Sequence, residues 1–527
     1  MTSWRSRLFP WLAVAIVYLC LVTTFRVGID RGLRDTIGDG TWGRILFGVG
    51  AAITQMDHGG YGYALSTVVE TVLTYAGLTD DPKVLASLGA QFPGNLRDPK
   101  LINAAIEKAT RFQWPFNPEE AVRGSGGDDI GFVDYVRLSF LLFGHNIQSL
   151  YYTYFLMCGL SAAAFLYAFR ARGGYLTLLI VTSVAQTILF SSNFFGYPNL
   201  GSLADSRFLS LMAFVPGLHL ACLLLDRSRP SVITIALAII QSVILVFALS
   251  IRASAVWVIL ALAIFAAVIA IRELLSGRRE LRRLFPVGVL LAVLGVHSLW
   301  ITMSLHPVYR SDGEISHHMF WHSVFYQLQI HPRWNEKYAA SYGFVDGDAL
   351  PMVAAKKYLI EHPPSDPDHV YLTPDHQFLR VAPAEIYIRK AFLELFANDR
   401  RFVMESLLVY NPVAMTVVFA GYLSSLVQIT MTQFISMFIV GIILSGFLAA
   451  DRRQRRLFKR GSLLVTGGFL LSLAPFAIAA PSYPTMGDQY FALLVVLGCW
   501  CVLALATVLS MLRGRRRQAV DKVLHAR

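Results

Sequence analysis

The stretch VITIALAIIQSVILVFALSIRASAVWVILALAIFAAVIAI, residues 232–271, decides the fold: forty residues carry a single charge, Arg252, near their middle. A hydrocarbon core about 30 Å thick takes about 20 apolar residues per helical crossing, so the run holds twice what one crossing needs. It reads as two membrane helices, 232–251 and 253–271, folded back on each other. A charge in hydrocarbon is costly, which places the turn at Arg252 on a membrane surface. Eight further stretches have the same character: 10–25, 147–169, 175–195, 208–225, 285–305, 429–450, 462–480 and 490–512. Composition agrees across the 527 residues, at 55% hydrophobic and 15% charged with a mean hydropathy of +0.52. These values exclude a disordered tail protein, a collagen-like fibre and an ordinary soluble enzyme. The expectation is an all-α polytopic membrane protein with about ten spans.

Lys and Arg outnumber Asp and Glu by 46 to 34, a net charge of +12. In a soluble chain such a surplus suggests nucleic acid as a partner. Here half of the 46 basic residues fall in six short stretches between or beside spans: 1–9, 170–174, 226–230, 272–284, 451–460 and 513–527. Short cytoplasmic loops accumulate Lys and Arg, so the surplus is a topology signal and no nucleic-acid partner is expected. Both termini then lie in the cytoplasm of a plasma or bacterial inner membrane.

The chain divides into a signal-anchor span (1–27), a first outer loop (28–146), a six-span core (147–305), a mixed second outer segment (306–428), three C-terminal spans (429–512) and a basic tail (513–527). The first span has no clear small-residue cleavage site after it and reads as an anchor rather than a cleaved signal. Residues 409–426 are apolar enough for an eleventh span, but counting them would turn the basic stretch at 452–456 outward. They read instead as a re-entrant or interfacial helix broken near Asn411-Pro412. All five cysteines, Cys20, Cys158, Cys222, Cys499 and Cys501, fall inside expected spans. None can therefore bridge the outer loops, and Cys499-Trp-Cys501, which lacks metal-ligand spacing, reads as small apolar packing.

In the first outer loop, 42–56 and 61–76 carry apolar residues at helical spacing, a pattern common in helices lying flat in the interface. A short helix is expected near 100–112. The loop ends in Gly124-Ser-Gly-Gly-Asp-Asp-Ile-Gly131, a glycine-rich turn that delivers Asp128 and Asp129 to the mouth of an apolar helix. Asp at a helix start caps amide groups and complements the dipole. Carboxylates entering a low-dielectric region also acquire raised pKa values, which suits a general base. Asp134, with Arg137 one turn beyond, is an accessory candidate. The acids are equally a candidate oxygen-ligand set for a divalent cation, although two neighbours alone are a weak metal signature.

The second outer segment holds His306, Arg310, His317, His318, His322 and His331. His318 and His322 share a helical face, a spacing zinc sites use, but the acid of an H-E-x-x-H motif is missing. The cluster reads as a hydrogen-bonding group near the outer leaflet, contacting a phosphate or serving structure. Residues 338–378 read as a Pro-, Asp- and Tyr-rich globular stretch, and 385–410 as a helix returning to the membrane. Arg252 and Arg207 lie at similar depth at the outer ends of spans, where an Arg either meets an anionic headgroup or snorkels to the interface. His219 and His297, within spans, read as interhelical hydrogen-bond donors rather than catalysts.

The stretch Asp128-Asp-Ile-Gly-Phe-Val-Asp-Tyr-Val-Arg-Leu-Ser-Phe-Leu-Leu-Phe-Gly144, set in this topology, resembles the acidic motif and following helix of the GT-C superfamily of integral membrane glycosyltransferases. In this chain the pair lies late in the loop, whereas many members place their acid soon after the first span. The resemblance implies transfer of a sugar from a polyprenyl-phosphate carrier to a glycan, lipid or protein acceptor on the outer face. It implies Asp128 or Asp129 as base, with Arg252, Arg207 and Arg310 or the histidines as partners of the donor phosphate. Three rivals remain open: a polysaccharide polymerase or ligase using Arg and His, a lipid or solute transporter, and a non-catalytic subunit of envelope assembly. No P-loop is present to suggest a nucleotide.

Overall fold

The computed structural model describes residues 40–59, 99–111, 113–114, 130–191, 209–226, 229–252, 255–276, 281–304, 320–345, 347, 349–363, 381–414, 417, 452–472, 495–509 and 511–512. Every regular element among them is helical. Residues 28–146, expected as the first outer loop, contribute α1 (Gly40–His58), α2 (Pro99–Arg111) and α3 (Ile130–Phe143). The membrane core follows as α4 (Gln148–Phe169), α5 (Gly173–Ser191), α6 (Phe214–Leu225), α7 (Val232–Ile251), α8 (Val256–Leu275) and α9 (Phe285–Ser304).

Four helices among the described residues are long and apolar enough to cross a membrane: α4, α7, α8, and α9 taken with the turn before it (Arg282–Ser304). Shorter apolar helices occupy Gly173–Gln186, Ser210–Leu225 and Val495–Leu509, within three more of the expected spans. The expected spans 10–25 and 429–450 lie outside the described residues.

Ser231 starts α7 by accepting a hydrogen bond from Thr234 N (3.1 Å), a side-chain cap for an otherwise unsatisfied amide. The helix ends at Arg252, whose backbone is extended, and α8 begins four residues on. The forty-residue apolar run is thus two helices divided at its one charge, but they do not fold back on each other as expected: both pack on α6. α7 sits centrally, packed on α3, α4, α6 and α9. Its register against α4 is set by a reciprocal pair of bonds. Ser161 Oγ donates to Gln241 Oε1 (2.7 Å) while Gln241 Nε2 donates to Ser161 O (2.8 Å). The same amide nitrogen donates to Nδ1 of His219 on α6 (2.9 Å). His219 therefore bonds between helices as expected, but at this nitrogen it accepts where a donor was expected. His297 instead stacks on Trp300 of its own helix.

A second core lies within residues 306–428, around Phe325, Leu328, Trp334, Ile388, Phe402 and Val403. It is built from α10 (Phe320–Tyr326), α11 (Ala349–Glu361), α12 (Val381–Asn398) and α13 (Arg400–Glu405). In the segment expected to be mixed, every regular element among the described residues is helical. The expected single helix over 385–410 is interrupted at Asp399, because that side chain turns back to cap Phe402 N (3.2 Å) while accepting from Lys337 Nζ (2.7 Å) and Tyr338 Oη (3.0 Å). The Lys337 ammonium holds the Asp399 carboxyl below the usual carboxylate range. No break occurs at Asn411-Pro412. A π-turn over Ser406–Tyr410 precedes it and helix continues to residue 414. The widened turn absorbs a proline that ordinary α-helical bonding would exclude, and Asn411 Nδ2 donates to Gln327 Oε1 (2.6 Å).

The basic stretch at 452–460 is itself helical, the first half of α14 (Arg452–Ser472). This helix packs on α5, where Gly461 leaves room for Leu178. Arg455 donates to Thr507 Oγ1 (2.7 Å) on the last described helix, α15 (Val495–Leu509).

Candidate functional site

The candidate site grows from the start of α3. A methyl group on Gly131 would collide with the carbonyl of Ser250 and lie 2.7 Å from Ile251 N. The backbone of α3 therefore rests directly on the last turn of α7, one residue before Arg252. Only glycine permits that approach, since any Cβ would push the two helices apart. Beyond it, Phe132 packs against Gly48 of α1. Tyr135 is fully buried, its ring tilted on Phe247 at 6.3 Å and its hydroxyl donating to Leu150 O in the first turns of α4.

Further contacts tie residues 28–146 to this end of the bundle and to one another. Asn103 of α2 accepts from Ile147 N (2.9 Å) and donates to Gln148 Oε1 (2.8 Å), covering the start of α4. Asp57 accepts from Trp114 N (2.8 Å). Residues 48–55 of α1 are buried without interruption. The amphipathic pattern of 42–56 predicts one open face; small residues at 48, 50, 51 and 52 instead let neighbours close on every side.

Arg252, next after the residues that Gly131 approaches, is buried, at 6% exposure. The expected interfacial arginine is thus enclosed by protein as well as placed at a helix end, and a low-dielectric setting strengthens its interaction with any anion that reaches it. Asp134 and Arg137 form an ion pair on α3 at 3.4 Å. Burial pushes the Asp134 carboxyl up to about 6, the Arg137 cation opposing the shift only in part. Because that value exceeds the ordinary 3.8, the folded chain binds the proton more tightly than the unfolded one. The stability this supplies is complete below about pH 4 and is lost as pH rises through 6. Asp134→Asn should therefore flatten the thermal stability profile between pH 4 and 7 in detergent. At neutral pH it should recover up to about 3 kcal/mol; an unchanged profile would show that Asp134 stays ionised throughout.

Of the other expected site residues, Asp128, Asp129, Arg207, Arg310, His317 and His318 lie outside the described residues. His322 belongs to the second core, where its backbone N–H donates to Glu385 Oε1 and that of Trp321 to Oε2, both at 2.8 Å. Glu385 so caps α10, complementing its dipole. His331 has a structural setting: Nε2 meets Glu405 (3.3 Å), Nδ1 accepts from Arg333 N (3.1 Å), and the ring lies against Phe402 and Tyr410. The histidines of this segment that are described do not share one cluster with Arg252. Among the described residues no three His, Cys, Asp or Glu side chains gather as a metal site.

Sequence reasoning missed Gly131, Asn103 and Glu385 as placing residues. Gly131 stands inside the quoted acidic motif, and a glycine entering a helix is the signal that marks a close approach. No family model, curated protein or solved structure matches the chain.

Proposed function

We propose that this protein is an integral membrane glycosyltransferase that moves a sugar from a polyprenyl-phosphate carrier to a glycan, lipid or protein acceptor at the outer face of a plasma or bacterial inner membrane. The observation that supports the reading most is the seating of α3 on the end of α7. It puts the helix that begins directly after the Asp128-Asp129 pair into backbone contact with Ser250 and Ile251, beside a buried arginine. Sugar transfer asks for that combination. A carboxylate takes the proton of the acceptor hydroxyl as it attacks the donor carbon, and a cation stabilises the phosphate that departs with the polyprenol.

In this reading Asp129 or Asp128 is the base and Arg252 the phosphate partner, with Arg207 and Arg310 as further candidates for the same anion. Asp134 and Arg137 are accessory, one turn further along α3. A ten-span topology with both termini in the cytoplasm would face this end outward.

The test is bond cleavage. Purified protein supplied with polyprenyl-phosphate sugar should release polyprenyl phosphate when an acceptor is added. Passage of the intact carrier across vesicles with no phosphate release would overturn the reading in favour of a transporter. Release that survives loss of both aspartates but not loss of Arg252 or His322 would favour the polymerase or ligase.

A further inference from the structure

The opposite end of the bundle carries a built network of its own. α4 is 22 residues long, about 33 Å at 1.5 Å per residue, so its far end is a membrane thickness from Arg252. There Arg172 pairs with Asp226 at 2.8 Å. Next to Asp226, Leu225 O accepts from Arg283 Nη2 (3.4 Å), and Arg283 Nη1 pairs with Glu273 at 2.5 Å. Arg460 of α14 lies within electrostatic reach of Tyr175, over whose ring Arg172 also sits at 5.9 Å. Three interhelical turns and the basic half of α14 thus meet in one place.

The charge balance at this place is lopsided. Its two described acids, Asp226 and Glu273, are taken up by Arg172 and Arg283. Arg170, Arg272, Arg456, Lys459 and Arg460 are exposed around them. Directly beside these cations stands an exposed apolar collar: Tyr167 next to Arg170, and Ile271, Leu274 and Leu275 flanking Arg272. Leu275 is 84% exposed. Cations bordering bare aliphatic surface match a molecule with an anionic head and hydrocarbon tails, whereas a free anion or a nucleic acid would leave the collar uncovered.

We propose that this end of the bundle is a docking surface for anionic phospholipid headgroups. The internal ion pairs fix the turns, and the exposed cations meet lipid phosphates while the collar meets the chains. Positive charge near an anionic leaflet is attracted to it additively, residue by residue. The proposal does not rest on the sugar-transfer reading and survives its failure.

The experiment uses full-length protein in detergent micelles doped equally with phosphatidylglycerol or phosphatidylcholine, with lipid adducts read by native mass spectrometry. Wild type should retain phosphatidylglycerol about tenfold more than phosphatidylcholine. The Arg456→Gln, Lys459→Gln, Arg460→Gln triple variant should lose most of that preference, and the charge-keeping Arg456→Lys, Lys459→Arg, Arg460→Lys variant should retain it. Wild type in rising salt provides a reading free of any substitution: the preference must fall as ionic strength climbs. Equal retention of the two lipids by wild type, or an unaltered preference in the glutamine variant, overturns the proposal. So does displacement of the lipid by inorganic phosphate alone, which would mark a free-anion site.

Discussion

Asp128→Asn together with Asp129→Asn should cut sugar transfer by about 10²- to 10⁴-fold, the usual contribution of a positioned general base, with the fold intact. Asparagine keeps the size of each side chain and the ability to cap the amides of α3, but it cannot accept the acceptor's proton. Retained capping with lost turnover separates catalysis from helix initiation, the two explanations that adjacent acids at a helix start invite. Single variants then assign the base: one should reproduce the full loss and the other only part of it. Donor binding, measured without acceptor, should change little. A double variant that turns over at the wild-type rate would remove the carboxylates from the chemistry.

Gly131→Ala should be as damaging by a different route. The added methyl meets the main chain of Ser250 and Ile251, which cannot rotate away as a side chain would. The helices must separate, at a cost at or above the 1–3 kcal/mol typical of overpacking. Separation also shifts the start of α3 relative to Arg252, and displacement of that order costs about 10²-fold in rate where geometry matters. Gly159→Ala is the matched control: nothing lies within 4 Å of a methyl there, and alanine is the better helix former by about 1 kcal/mol. Thermal stability in detergent and polyprenyl-phosphate release should both fall for Gly131→Ala and hold for Gly159→Ala. Equal behaviour of the two variants would mean that α3 does not bear on α7.

The division of the long apolar run at Arg252 was legible in the sequence, because a lone charge in forty apolar residues has few places to go; that its two helices pack on α6 rather than on each other was not. The helices near 42–56 and 100–112 were legible too, since helical periodicity is a local property. The seating of α3 on α7 was not, because it joins Gly131 to Ser250 across more than a hundred residues and leaves no periodic trace. The interruption at Asp399 was hidden for a related reason: apolar spacing runs through it unbroken, and the cap becomes visible only once Lys337 and Tyr338 are seen bonded to the same carboxylate. Likewise, Glu385 reads as one more acid on a helix until the amides of Trp321 and His322 are found pointing at it.

The Ser161–Gln241 clamp bears on biogenesis. These residues are 80 positions apart, so α4 enters the bilayer well before α7 is synthesised. Until it docks, the Gln241 amide stands in hydrocarbon lacking three of its final partners' atoms, an arrangement that an isolated amide tolerates poorly. The nascent seventh helix therefore has a strong incentive to leave the translocon only alongside an already assembled α4–α6 pair, and insertion order becomes part of how the bundle reaches a single register.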